Sequence, residues 1–271
     1  MGLHDKDGLP PLPELGMDLL ETNSWQRAQP LLMPYFWAVA FVAAWHVGLS
    51  WLSFLALVMV FSASSTSTHD VVHGSLGLSR RWTERLLFLL GAPVLESGHA
   101  YRLTHIEHHR IFPSHDDLEG KAAMLPVWRV LLEGPTFLFR LWLWAWRKTP
   151  KMPDQRRWLV LELSLPMLGL LVGWLLRPIT DAPLAYVVCV LISSWFYPLF
   201  AVHLPHRHYG ENRVTHAWTL RGLIIPRLFL PLAFHLEHHL YPKVPSHNLP
   251  KLAKRLEPWL VQHQVRVLHV P

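Results

Sequence analysis

His105-Ile106-Glu107-His108-His109 places three imidazoles at i, i+3 and i+4. On a helix those positions share one face, with side chains about 5–6 Å apart. The pattern returns as His235-Leu236-Glu237-His238-His239, and His69-Asp70-Val71-Val72-His73 sets two more imidazoles at i and i+4. Neutral imidazole is the commonest metal ligand near neutral pH. A single ion rarely needs so many, so the economical expectation is two metal ions sharing one site. A lone histidine is usually a surface or satisfied core residue, and one HxxxH pair means little. Three such boxes in a chain with 19 histidines are hard to explain as solvation, and clustered ligand types mark metal sites.

The rest of the 271 residues points to a membrane. Half the chain is hydrophobic (51%) and only 16% is charged, well below the usual quarter of a soluble domain. The 14 tryptophans favour a membrane–water interface. The single cysteine, Cys189, excludes an intrachain disulfide, a CxxC zinc site and a four-cysteine iron–sulfur cluster. The net charge of +6 is better explained by topology and lipid headgroups than by nucleic acid, because the basic residues alternate with long aliphatic runs. No secretory signal is expected at the start, where Asp5, Asp7, Glu14, Asp18 and Glu21 keep the chain polar.

In chain order, residues 1–30 read as a cytoplasmic lead-in, 31–255 as a membrane domain and 256–271 as a cytoplasmic tail. Residues 31–66 are almost uncharged and too long for one crossing, so they are expected to form a hairpin that turns near His46-Val47-Gly48. Residues 74–156 mix arginines with apolar patches and read as helices lying at the membrane surface, with Trp142, Trp144 and Trp146 as an anchor. Two further spans are expected at about 158–176 and 183–201, joined through Arg177-Pro178-Ile179-Thr180-Asp181. The apolar patch Leu223–Phe234, with Pro226 and Pro231, reads as interfacial or re-entrant. The expected fold is therefore all-α and integral to the membrane: four transmembrane helices in two hairpins under a histidine-rich helical cap. Every Lys and Arg except Arg177 then falls on the side holding both termini, which the positive-inside rule places in the cytoplasm. All three boxes fall on that side too.

Two ions held mainly by neutral imidazole suit iron, zinc or copper. A zinc peptidase normally offers HExxH with glutamate as base, and that motif is absent. A transporter for a transition metal predicts ligands within the spans, whereas here the boxes lie just outside them. A pair of iron ions that reduces O₂ needs many fixed ligands, and the protein's part is to hold that pair beside a greasy substrate.

The arrangement resembles the membrane fatty-acid desaturase-like superfamily, which includes acyl desaturases and carotenoid ring hydroxylases and ketolases. The resemblance covers about residues 31–255. It is carried by His69 to Ser75, by His105 to His109, and by His235-Leu236-Glu237-His238-His239-Leu240-Tyr241-Pro242 with Val244-Pro245-Ser246-His247-Asn248-Leu249-Pro250. It implies two non-haem iron ions, O₂ as co-substrate and an external electron donor of ferredoxin or cytochrome type. By the family's pattern a further ligand falls in His203-Leu204-Pro205-His206-Arg207-His208, with His206 preferred and His203 in reserve. The implied ligand set is His69, His73, His105, His108, His109, His206, His235, His238 and His239.

Asp70, Glu107, Glu237 and His203 are candidates to orient those imidazoles through hydrogen bonds. Asp116 and Asp117 read as a solvated loop pair. The expected function is an O₂-dependent desaturase acting on a fatty acyl lipid in the bilayer, with carotenoid ring hydroxylation or ketolation as the alternative. The Leu204-Pro205-His206-Arg207 stretch and the short chain pull toward the carotenoid reading.

Overall fold

The computed structural model describes residues 8–271; His4, Asp5 and Asp7 lie outside them. Helices dominate. After one short turn, α1 (Leu12–Leu15), comes α2 (Ser24–His46). Asn23 and Gln26 each accept a bond from the other's backbone N–H (2.8 and 2.9 Å), a reciprocal cap that satisfies two orphan donors at the start of the helix. Gly48, at φ +78°, reverses the chain into α3 (Ser50–His73). The helix runs on through the Ser62–Thr68 stretch. It continues through His73 and stops at Gly74, whose φ of +65° carries no Cβ penalty. The first box thus rides on a rigid helix end.

Next come α4 (Arg80–Gly91), α5 (Gly98–Ile111), α6 (Val127–Lys148), α7 (Pro153–Leu163), α8 (Leu165–Leu176) and α9 (Ala182–Ser194). Among the described residues, three helical stretches are long and apolar enough to cross a membrane: Met17–His46, Ser50–His73 and Pro153–Leu176. Ala182–Ser194 is apolar but shorter. Beyond it the chain runs through turns into a π-helix, Pro198–His203. The continuous fourth span expected at 183–201 is therefore broken.

The segment at 74–156 also differs from a purely interfacial reading. Arg80, Arg81 and Arg85 are exposed on the first turns of α4, but Leu87 and Leu90 are buried, and the turn after α4 enters the helical bundle. There Leu95 packs with Phe41, Ala56, Leu57 and Val190 from α2, α3 and α9. The physical reason is the charge gradient: α4 starts basic and ends apolar.

The C-terminal third carries strand β1 (Thr219–Arg221), short helices α10 (Ile225–Leu228), α11 (Leu230–Ala233) and α12 (His235–Leu240), helix α13 (Leu249–Gln262) and strand β2 (Val267–His269). The strands pair in parallel, Thr219 with Val267 through Arg221 with His269, a small sheet that the all-helical expectation omitted. Residues 249–262 are packed. Leu249, Leu252, Leu256, Trp259 and Leu260 share a core with Leu236 and Leu240, and burying each leucine contributes about 1.5–3 kcal/mol. The N-terminal segment straps this core. Pro10 O accepts from the Tyr241 hydroxyl (2.6 Å), and Asp18 takes two bonds from Arg255 (2.7 and 2.9 Å).

Candidate metal centre

The histidine boxes arrive from three helices. His69 and His73 sit on the last turns of α3, His105, His108 and His109 on α5, and His235, His238 and His239 on α12. His206 follows the π-helix. These nine imidazoles meet in two groups: His69, His73, His105, His109 and His238, and His108, His206, His235 and His239. Within each group the ligand atoms lie within 4.8 Å of one another. His203 belongs to neither; its Nδ1 donates to Ala122 O (3.0 Å).

The ring nitrogens are sorted by partner. Nδ1–H of His206 donates to His216 O (2.7 Å), and that of His235 to Pro231 O (3.0 Å). Asp117 accepts from His108 Nδ1 (2.7 Å) and Glu119 from His105 Nδ1 (2.9 Å). A neutral imidazole carries one N–H, so in each of these rings Nε2 holds a bare lone pair. Those lone pairs face one another: His206 Nε2 lies 3.0 Å from His235 Nε2 and 3.1 Å from His108 Nε2. In the other group His238 Nε2 lies 2.8 Å from His69 Nε2 and 2.9 Å from His109 Nε2.

Protonation is a poor way to relieve this. Burial pushes the imidazoles of His105, His109, His206, His238 and His239 well below their ordinary range, and that of His235 down to about 3. Converging lone pairs on neutral rings are what a cation requires. The buried Nε2 of His73 has no hydrogen-bond partner either. The donor set therefore fits two metal ions bound by nitrogen.

Of the four residues expected to orient the imidazoles, the structure uses none as a hydrogen-bond partner of these nine rings, among the described residues. Asp70 accepts from Ser246 N (3.0 Å) and Ser246 Oγ (2.7 Å), tying the first box to the turn beyond the third. Glu237 is fully buried and accepts from Thr219 Oγ1 (2.7 Å) and Arg221 (3.0 Å), fixing α12 against β1. Glu107 pairs with Arg110 on the outer face of α5, because it lies two residues from His105 and one from His108 and so points away from both. His203 holds the Gly120–Met124 turn. The orienting carboxylates come instead from Asp117 and Glu119. Asp117 is 1% exposed, not solvated, while Asp116 is exposed. The sequence offered one signal, two carboxylates with i, i+2 spacing just beyond the second box, but only the tertiary turn shows that they fold back on it.

Comparison with known proteins agrees with this geometry. Residues 43–271 match the family model described as Fatty acid desaturase. The chain belongs to that family, and it is an oxidoreductase of desaturase type. It is 26% identical over 238 residues to the dihydrorhizobitoxine desaturase of Bradyrhizobium elkanii, covering 75% of this chain and 67% of that protein. No solved structure matches it significantly.

Proposed function

We propose that the protein is an O₂-dependent di-iron desaturase acting on a fatty acyl lipid within the bilayer. The observation that carries this reading is the pair of imidazole groups, five and four, with the ligand atoms of each group within 4.8 Å of one another. His69, His73, His105, His109 and His238 hold one ion; His108, His206, His235 and His239 hold the other. Many fixed nitrogen ligands suit iron, and the bound pair supplies the O₂-reducing chemistry that desaturation needs.

The chain's own residues do the positioning. Asp117 and Glu119 lock the tautomers of His108 and His105, leaving Nε2 free to bind and raising its basicity. Asp70 and Glu237 pin the first and third boxes to the packed C-terminal core. The apolar helices give a lipid its access. Desaturation removes two hydrogen atoms from adjacent carbons, and reducing O₂ to water takes two more electrons from a donor. With a single cysteine and no dinucleotide fingerprint, the chain relies on a separate carrier of ferredoxin or cytochrome type. Four crossings in two hairpins, both termini cytoplasmic, put the site on the carrier's side. Both comparisons name desaturases, which supports desaturation over the carotenoid alternative; the relative's own substrate is not carried over.

The test is lipid and pigment analysis of a host expressing the protein beside one expressing the H109A variant. New double bonds in acyl lipids only with the wild-type chain support the reading. Oxygenated pigments with unchanged acyl chains reject it.

A further inference from the structure

The turn joining α4 to α5 lies inside the bundle, and it carries a carboxyl. The Tyr186 hydroxyl of α9 donates to Pro93 O (2.5 Å), and Leu95 packs among α2, α3 and α9. Leu57, one of its neighbours, precedes His69 by twelve positions on α3, about 18 Å at the helical rise. Glu96 is the next residue. An ionisable side chain at membrane depth is costly and points to function.

The backbone is shaped to hold it there. Leu95 adopts φ +57°, a conformation that strains a residue with a side chain. Gly91 takes the close approach of this turn; a Cβ there would lie 2.3 Å from Glu96 O. One carboxyl oxygen is left unsatisfied. Glu96 Oε1 is buried without a hydrogen-bond partner, an arrangement that persists only where something else repays it.

From Glu96 the chain climbs back to the metal centre along α5. Tyr101, His105 and His109 follow at four-residue spacing on one face, with ring centroids 4.7 Å apart at each step. Tyr197 comes in from beyond α9, and the carboxyl of Glu96 interacts electrostatically with both phenols. All three residues are partly buried. The face that leads from the first imidazole group into the bundle therefore ends in polar groups.

We infer that Glu96, with Tyr101 and Tyr197, forms the deep end of the substrate site and hydrogen-bonds a hydroxyl or carbonyl that the substrate carries remote from the oxidised carbon. Glu96 precedes His105 by nine residues, so that group lies on the order of 10 Å from the metal centre. The inference rests on the desaturase reading for the site and names its substrate class: a long apolar molecule with a neutral polar far end. A plain acyl chain presents a methyl group there and leaves the carboxyl desolvated and unpaired.

The experiment is ligand-induced thermal stabilisation of the full-length, metal-loaded protein in nanodiscs. The probes are matched pairs of fatty acids and ω-hydroxy fatty acids, palmitate and ω-hydroxypalmitate first, then shorter and longer pairs. The wild-type protein should bind the best hydroxylated probe about tenfold more tightly than its unsubstituted match, the scale of one hydrogen bond to a buried polar group. E96L should abolish that preference, Y197F should reduce it, and E96Q, which still offers a polar partner, should keep it. If E96L fails to fold, the Y197F and E96Q pair decides. Equal binding of every pair, no binding of any, or a preference that survives in E96L or is untouched in Y197F overturns the proposal. Because the readout is binding, a hydroxyl preference without desaturation would sink the catalytic reading alone, and desaturation without the preference would sink this one alone.

Discussion

His206 Nε2 and His235 Nε2 stand 3.0 Å apart while the Nδ1–H of each ring donates to a backbone carbonyl. Two acceptor lone pairs at that distance repel unless a cation lies between them. The wild-type protein should therefore purify with about two metal ions per chain, and H235A should retain about one, since it spoils one group and leaves the other intact. Elemental analysis reads this directly. Stoichiometric zinc in an active preparation would reject iron, and full metal content in H235A would reject the assignment of His235.

Asp117 holds the His108 ring from behind at 2.7 Å. Replacing it with asparagine keeps the shape and removes the charge. Partners of this kind typically alter metal affinity by about 10–100-fold, so D117N should lose metal to a chelator at a correspondingly lower chelator concentration. E107Q is the control. Glu107 faces Arg110 away from the site, so that substitution should leave metal retention unchanged. Equal retention in D117N and wild type would remove Asp117 from the site.

The metal-stripped protein should weaken as it is acidified. His235 folds with its pKa lowered from 6.5 to about 3, and burial lowers those of His105, His109, His206, His238 and His239 as well. Between the unfolded and folded values the unfolded chain binds protons that the folded chain refuses, so stability is full above about pH 6.5 and falls as pH drops toward about 3. Each such imidazole adds to the loss of stability on acidification. Thermal unfolding of chelator-treated protein should show Tm declining below about pH 6.5; a Tm that rises on acidification would contradict buried neutral imidazoles.

The sequence made some of this legible and hid the rest, for physical reasons. Helical spacing alone puts His105, His108 and His109 close together, because i, i+3 and i+4 are local geometry. Hydropathy located the apolar helices α2 and α3, because an uncharged run has few other stable places. What stayed hidden was non-local. Asp117 reads as a loop carboxylate until the 112–124 turn folds it back under His108. Glu107 sits inside a box and still points outward. The β1–β2 pairing joins segments almost fifty positions apart, and neither strand is long enough to announce itself. The division of nine imidazoles into five and four depends on how three helices and the turn after the π-helix converge, which no spacing within one helix contains.

The last prediction concerns sidedness. His46 Nδ1 lies 3.1 Å from Thr180 Oγ1, so the turn after α2 and the turn between α8 and α9 meet at one end of the bundle. The histidine boxes occupy the other, since α3 runs from Ser50 near that turn to His73 at the site. Arg177 lies in the turn at the first end, and the positive-inside rule, applied to the few basic residues expected there, predicts that this end is external. Cys189 is the native cysteine, so a C189S background allows single-cysteine labelling with a membrane-impermeant maleimide. Gly48 is exposed, Ile179 is 78% exposed and His115 is exposed in the loop beyond the second box. Cysteines at 48 and 179 should label in intact cells, and a cysteine at 115 only after permeabilisation. If 48 and 179 label differently, the two hairpins do not run side by side across the membrane. If 115 labels in intact cells, the site opens to the wrong side for a cytoplasmic electron carrier.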